Sequence, residues 1–160
     1  MKTSLGPREW GLEADAEGRL TVGGTRAVEL AREFGTPLHV FNEDRFEAEA
    51  ARFRRSWEAA CPGAVSVHYA FKCNAVPAVV EAARRAGLKA EVMSPFELDL
   101  AFRLGYGGGD VVVNGPGKTA AFLREAVARG VRLVNVDSLA EIALLDEIAR
   151  AAGRRADILL

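Results

Sequence analysis

The sequence predicts an α/β protein built around a parallel β-sheet. Short apolar strands alternate with helical patterns, and the strands begin near residues 37, 64, 88, 110, 132 and 156. This regular alternation is typical of βαβ units. Two architectures fit the pattern, an open doubly wound sheet and part of a (β/α)8 barrel. A whole barrel needs about 250 residues, so the 160 residues would supply five units and the opening of a sixth, and we expect a truncated chain.

The individual elements follow from local patterns. Strands are predicted over 37–41, 64–72, 88–93, 110–114, 132–137 and 156–160, and helices over 26–35, 42–60, 119–130 and 138–152. Two further helices show apolar stripes, one with Val76, Val79, Val80 and Ala83 and one with Phe96, Leu100 and Leu104. Ser94 with Glu97, and Ser138 with Glu141, have the spacing of capping boxes.

Composition excludes several classes of function. The chain is 49% hydrophobic and 27% charged, with a net charge of -1 and no basic cluster that would indicate nucleic acid. No apolar run approaches the ~20 residues of a membrane span, and no signal peptide is evident, so the cytoplasm is the expected compartment. Cys61 and Cys73 fit neither a metal site nor a disulfide framework. Residues 114–119 end like a P-loop, but Val112 occupies the place of its first glycine.

Lys72 is the candidate catalytic residue. Strand alternation would place it on one face with His68 and Ala70, opposite Tyr69 and Phe71. In a barrel, the carboxyl end of a strand is where catalytic groups lie. Partial desolvation of the amine there would favour its neutral form, which is the nucleophile of Schiff-base chemistry. The alternative is a strand-end lysine that extends into solvent.

Three other polar residues are weaker candidates. Glu91 lies near the end of the third predicted strand with the parity to project beside Lys72, although a surface glutamate fits the spacing as well. Glu97 is explained structurally by its capping box, and His68 by packing in the core or behind the site.

Several segments together resemble the fold-type III pyridoxal-phosphate (PLP) decarboxylases, the diaminopimelate and ornithine decarboxylase family. Residues 68–74, HYAFKCN, resemble the signature Y-A-x-K-[AC]-N. The resemblance runs in order from about residue 25 to the end, through 36–57, 90–105, 111–131 and 135–149. It implies a partial (β/α)8 TIM barrel of the alanine racemase-like, PLP-binding type. Residues 26–160 would be its N-terminal part and 1–25 an extension near a β-domain, and both that domain and the C-terminal half-barrel would be absent.

The resemblance also implies roles for individual residues. Lys72 falls on the lysine that holds PLP as an internal aldimine, Ala70 on the wall against the cofactor, and Glu91 where the family usually has aspartate. A second layer of site residues would include His68, Asn74, Ser94, Glu97 and Asn114. No metal is expected. Departures from the family pattern, including Pro95-Phe96 for Gly-Gly and Asn114-Gly115-Pro116 for His-Gly-Asn, leave the substrate open.

The function implied by this resemblance is PLP-dependent decarboxylation of an amino acid, as in the diaminopimelate decarboxylases of lysine biosynthesis, by a homodimer. Diaminopimelate, lysine, ornithine, arginine and a carrier-bound amino acid all remain candidate substrates. Three alternatives stay open: a racemase of the alanine racemase type, a cofactor-free aldolase-like barrel, and a non-catalytic regulatory or binding protein. By resemblance, the histidine that stacks on the ring, the phosphate loop, the acid at the pyridine nitrogen and a C-terminal cysteine and tyrosine lie outside this chain. We therefore expect little or no activity from the isolated 160 residues.

Overall fold

The computed structural model describes residues 10–160. The chain divides into two compact units, one extending to Glu49 and the other comprising Ala50–Leu160. The predicted division between residues 25 and 26 remains a prediction, and residues 1–9 of the expected extension lie outside the described part. Within that part, no helix is long and apolar enough to cross a membrane.

The first unit contains a small antiparallel sheet. Its elements are β1 (Leu12–Ala14), β2 (Leu20–Val22), β3 (Thr25–Arg26) and helix α1 (Ala27–Phe34). Helix α1 confirms the prediction over 26–35 and ends at Gly35, whose φ of +82° favours glycine. Asp15 accepts hydrogen bonds from the backbone N–H of Arg19 (2.8 Å) and from Nε of Arg26 (2.7 Å). The Arg19 bond first, and then the Arg26 guanidinium, hold the pKa of Asp15 below its usual value, against the opposing effect of burial.

The predicted first strand is wrong. Residues 37–41 form no strand and pair with no other segment of the described chain. Their apolar side chains line a cavity of about 560 Å³ together with Leu12 and Val22, while Leu38, Val40 and Phe41 each remain about 40 to 50% exposed. The segment is apolar, but a strand also requires a hydrogen-bonded neighbour. The next element, α2 (Glu43–Ala60), confirms the prediction over 42–60 and crosses the boundary between the units.

The second unit is built on five parallel strands. They are β4 (His68–Ala70), β5 (Lys89–Val92), β6 (Val111–Val113), β7 (Leu133–Asn135) and β8 (Ile158–Leu159). The connecting helices are α3 (Pro77–Arg85), α4 (Pro95–Arg103), α5 (Ala120–Arg129) and α6 (Leu139–Ala151). The strands lie side by side in chain order, without the reversal that defines a doubly wound sheet. Sequential order with helical crossovers is that of a partial (β/α)8 barrel.

The two faces of this sheet differ in chemistry. One face packs under the helices, with Ala90, Val92, Val111, Val113 and Val134 at most 1% exposed. The opposite face, which a barrel turns towards its axis, carries the alternate residues His68, Ala70, Lys89, Glu91, Val112, Leu133 and Asn135. The bulkier apolar residues of β5 to β7 thus pack mainly under the helices, and polar groups such as Glu91 are left on the axis face.

The observed helix caps agree with the sequence-based predictions better than the observed burial of the apolar stripes does. Ser94 and Ser138 accept hydrogen bonds from the backbone N–H groups of Glu97 and Glu141, as capping boxes require. Two predicted core residues are exposed, however: Phe96 by 67% and Val76 by 54%. Val76 is the N-cap residue of α3, and Phe96 lies in the first turn of α4.

Candidate active site

Lys72 lies directly after β4 and not within it. The chain leaves the strand at Ala70 and makes a 3-10 turn over Phe71–Cys73. The turn buries Phe71 completely, with its ring 6.0 Å from that of Tyr106, and leaves Lys72 exposed. The predicted strand 64–72 is therefore too long, and alternation does not place Lys72. Core burial of Phe71 does so instead, because it turns the next side chain outwards at the carboxyl edge of the sheet.

Neighbouring residues fix the conformation of this turn. The Tyr69 hydroxyl donates to the backbone oxygen of Asn74 (3.1 Å), and the side-chain oxygen of Asn74 accepts from the N–H of Val76 (3.0 Å). Burial raises the pKa of Tyr69, and the nearby Cys73 thiol adds to the rise. The phenol therefore remains a hydrogen-bond donor throughout the neutral range. In this structure Asn74 shapes the backbone that carries Lys72.

Ala70 and Glu91 lie on neighbouring strands, and Asn114 directly follows the next strand, β6. Ala70 pairs with Glu91 in the β4–β5 register, so their side chains share the axis face. Across β5 and β6, the side-chain amide of Asn114 donates to Oε1 of Glu91 at 2.8 Å. The arrangement brings a carboxylate next to Ala70, two residues before Lys72, and the predicted projection of Glu91 beside Lys72 itself stays a prediction. It also assigns that carboxylate a partner that the sequence did not reveal.

The remaining predicted site residues have structural contacts. Nδ1 of His68 donates to the backbone oxygen of Ala90 at 3.1 Å, which holds the ring against β5. Glu97 is 8% exposed and its carboxylate accepts from the N–H of Met93 at 2.7 Å. Together with the Ser94 cap, this contact fixes the start of α4 against the end of β5. These residues support the edge of the sheet from behind.

Sequence reasoning missed a charged cluster two strands away from Lys72. The ammonium of Lys118 is buried and lies 2.7 Å from Oδ2 of Asp137 and 3.1 Å from Oε1 of Glu141. The available signal was the second capping box, which places Glu141 at the first turn of α6 beside the end of β7. In the sequence, Lys118 stands out only as the lysine of an incomplete P-loop pattern. Among the described residues, no group of histidine, cysteine and acidic side chains has the arrangement of a metal site.

Comparison with known proteins assigns the second unit to a family. Residues 47–160 match the family model described as "Pyridoxal-dependent decarboxylase, pyridoxal binding domain". The chain belongs to this decarboxylase family.

Its relatives include proteins of known structure. The chain is 34% identical to the diaminopimelate decarboxylase of Mycobacterium leprae, over 100% of this chain and 33% of that protein. It also resembles the crystal structure of Methanocaldococcus jannaschii diaminopimelate decarboxylase in complex with L-lysine, with 31% identity and a TM-score of 0.82, over 92% of this chain and 34% of that one. The Selenomonas ruminantium lysine decarboxylase gives 28% identity and a TM-score of 0.69, over 84% and 33%. The chain therefore spans about a third of the length of these relatives.

The groups present on this decarboxylase-family chain fit the attachment side of a PLP site. Lys72 offers an exposed amine at the carboxyl edge, and within residues 10–160 its Nζ has no hydrogen bond or ion pair. Such an amine is available for a carbonyl group, as covalent attachment of PLP requires. Ala70 presents only a methyl group beside it, and Glu91 is kept in one orientation by Asn114. The expected desolvation of Lys72 is not found in the described residues, since its side chain is exposed.

Proposed function

We propose that the protein carrying this chain is a PLP-dependent amino-acid decarboxylase and that Lys72 is the residue to which PLP is bound. The observation that carries the proposal is the exposed Lys72 amine on the turn after β4, at the carboxyl edge of a barrel sheet, which has no partner among residues 10–160. The membership of residues 47–160 in the pyridoxal-binding domain family supports it.

Each residue of the candidate site would have a separate role in holding the cofactor. Lys72 would hold the cofactor, and the small side chain of Ala70 would leave room for it against the sheet. Glu91, oriented by Asn114, would keep a negative charge near the attachment point. When bound, PLP supplies an electron sink for the pair left on the substrate α-carbon as CO2 departs. Ser94, Glu97, His68 and Asn74 would hold the backbone beneath these groups.

The substrate class follows from the relatives and not from the geometry. Diaminopimelate decarboxylases from several organisms match at 32 to 35% identity. We therefore propose diaminopimelate as the first substrate to test, ahead of lysine, ornithine and arginine, and a homodimer as the active assembly. Sedimentation of the purified protein with and without PLP tests the assembly.

The decisive experiment traps the cofactor on its lysine. The purified protein is incubated with PLP, reduced with borohydride and digested, and the peptides are mapped by mass. We expect a phosphopyridoxyl group on Lys72, and its loss in Lys72→Ala but not in Lys89→Ala, whose lysine pairs with Asp110 (3.4 Å). A protein without label at Lys72 would refute the proposal. Release of CO2 from diaminopimelate, as opposed to loss of optical rotation, then separates a decarboxylase from a racemase.

A further inference from the structure

Lys118 is a buried ammonium group for which the proposed chemistry has no use. Its side chain is 1% exposed, and it follows β6 in the connection 114–119 that leads to α5. Withdrawing an ammonium from water is costly unless other groups replace its hydration. The groups that do so show what this lysine holds in place.

Three oxygen atoms surround the Lys118 ammonium. Oδ2 of Asp137 lies at 2.7 Å, Oε1 of Glu141 at 3.1 Å, and the backbone oxygen of Gly115 accepts a hydrogen bond. The contacts with Gly115 and Asp137 are hydrogen bonds, and the contact with Glu141 is an ion pair. Two carboxylates already face this ammonium, so a ligand phosphate beside it would meet their negative charges, which argues against the P-loop interpretation on geometry as well as on sequence.

The contacts join two neighbouring connections of the barrel. Gly115 belongs to the segment after β6, whereas Asp137 and Glu141 lie at the end of β7 and the start of α6. Glu141 is itself fixed, because its other oxygen accepts from the N–H of Asp137 at 2.8 Å. Lys118 therefore ties the β6–α5 connection to a rigid capped helix start.

The Gly115 anchor lies next to Asn114. The backbone N–H of Asn114 donates to the backbone oxygen of Val92 at 2.8 Å, so β5 holds the backbone of Asn114 on one side. On the other side Gly115, with φ of +91°, passes so close to Met93 that an added Cβ would lie 3.0 Å from the Met93 side chain. The orientation of the Asn114 amide towards Glu91 thus depends on where Lys118 holds the carbonyl of Gly115.

We propose that Lys118 is a positioning residue that keeps the Asn114 amide on the Glu91 carboxylate by anchoring the β6–α5 connection to Asp137 and Glu141. The connection between this amide and the cofactor rests on the proposed function, in which Glu91 lies beside PLP-bearing Lys72. The anchoring of the connection itself does not rest on it. The two parts can therefore be measured separately.

Hydrogen–deuterium exchange of the protein without PLP tests the anchor. The variant Lys118→Met removes the ammonium. Asp137→Asn weakens the ion pair at its half-exposed partner, and Lys118→Arg retains the positive charge. A matched control is Arg150→Met, which removes an exposed ion pair with Asp146 on the same helix. We expect amides of 114–118 to exchange about 10-fold faster in Lys118→Met and a few-fold faster in Asp137→Asn, and to be unchanged in the control. Lys118→Arg should restore most of the protection.

Asp137→Asn keeps this test decisive if Lys118→Met fails to fold, since it leaves Lys118 paired with Glu141. Unchanged exchange of 114–118 in Asp137→Asn, or a uniform increase over the whole protein, would overturn the anchor. This result would stand whether or not Lys72 takes up PLP.

A double-mutant cycle with Asn114 tests the effect on the cofactor. Kd for PLP is measured by absorbance titration in Lys118→Met, Asn114→Ala, the double variant and Arg150→Met. We expect each single variant at Lys118 or Asn114 to raise Kd by about 5- to 10-fold, and the double variant to be no more than about twofold weaker than the weaker single, because both remove one contact. If Lys118 only stabilised the fold, the two single-variant increases in Kd would multiply in the double variant. That result would overturn the positioning role. Absence of PLP from Lys72 in the unaltered protein would instead refute the proposed function.

Discussion

Asn114 donates its side-chain amide to Glu91 across β6 and β5, over a distance of 2.8 Å. Both side chains lie on the axis face of the sheet and are only partly exposed, so the hydrogen bond is shielded from much of the water. A hydrogen bond to a charged group in such a setting contributes more than a neutral one on the surface. The pair is therefore expected to matter for stability as well as for the cofactor site.

Replacing Asn114 should reveal this contribution. We expect Asn114→Ala to lower the free energy of unfolding by about 1 to 2 kcal/mol. Asn114→Asp should lower it further at neutral pH, because it opposes two carboxylates. Urea unfolding at pH 7 measures both. The Glu91→Gln variant is the matched control, since the added aspartate would then face a neutral amide and the extra penalty should disappear. Equal stability of Asn114→Ala and Asn114→Asp would contradict this account.

Phe71 determines where Lys72 points, and its burial predicts a large effect. The side chain is 0% exposed and packs against Tyr69 and Tyr106. Phe71→Ala should cost about 3 to 5 kcal/mol of unfolding free energy, whereas Phe71→Leu should cost much less. Phe96→Ala, at a side chain 67% exposed, should change it by less than about 0.5 kcal/mol. A small effect of Phe71→Ala would mean that the turn after β4 does not depend on the core.

The contrast between Phe71 and Phe96 shows what the sequence could and could not predict. Periodicity and capping signals located α1, α2, α5 and α6 within one or two residues, because these signals act within a single element. The exposure of Phe96 and the unpaired segment 37–41 depend on which other elements are present to cover or pair them. No local pattern contains that information.

The candidate site likewise has features that the sequence predicts and features that it does not. Parity placed Glu91 and Ala70 on one face because β4 and β5 are regular and in register. It failed at Lys72, where the chain leaves the strand for a 3-10 turn. The Glu91–Asn114 and Lys118–Asp137 contacts join residues 23 and 19 positions apart, and side-chain pairing at that separation has no periodic signal.

The capping residues offer a test of helix starts near the site. The hydroxyls of Thr119 and Ser138 accept from the N–H groups of Phe122 (3.2 Å) and Glu141 (3.1 Å). We expect Thr119→Ala and Ser138→Ala each to cost about 1 kcal/mol in urea unfolding. Ser138→Asp should retain the cap, and Ser56→Ala, inside α2 with its hydroxyl bonded to Arg52 O (3.0 Å), should have little effect. A loss at Ser56 equal to that at Ser138 would argue against a specific capping contribution.

Tyr106 should make the free energy of unfolding depend on pH in the alkaline range. The residue is 4% exposed, and burial raises the pKa of its phenol to about 12, although the charge of Arg84 opposes the rise. Below pH 10 the phenol is protonated in the folded and unfolded states alike. Between pH 10 and 12 the unfolded chain loses this proton while the folded chain keeps it, so stability falls as pH rises, by up to about 1.4 kcal/mol per pH unit.

The variant Tyr106→Phe should therefore lose less unfolding free energy as the pH rises above 10. It gives up the hydroxyl contact with Val80 O (3.4 Å), so it should be slightly less stable than the unaltered protein at pH 8. The difference should shrink and then reverse as pH increases from 9.5 to 11 in a series of urea unfolding curves. Tyr69→Phe removes the other tyrosine, whose pKa is also raised by burial, and should flatten the curve in the same direction. Parallel curves for Tyr106→Phe and the unaltered protein across this range would show that the phenol ionises equally well in the folded core, contrary to its burial.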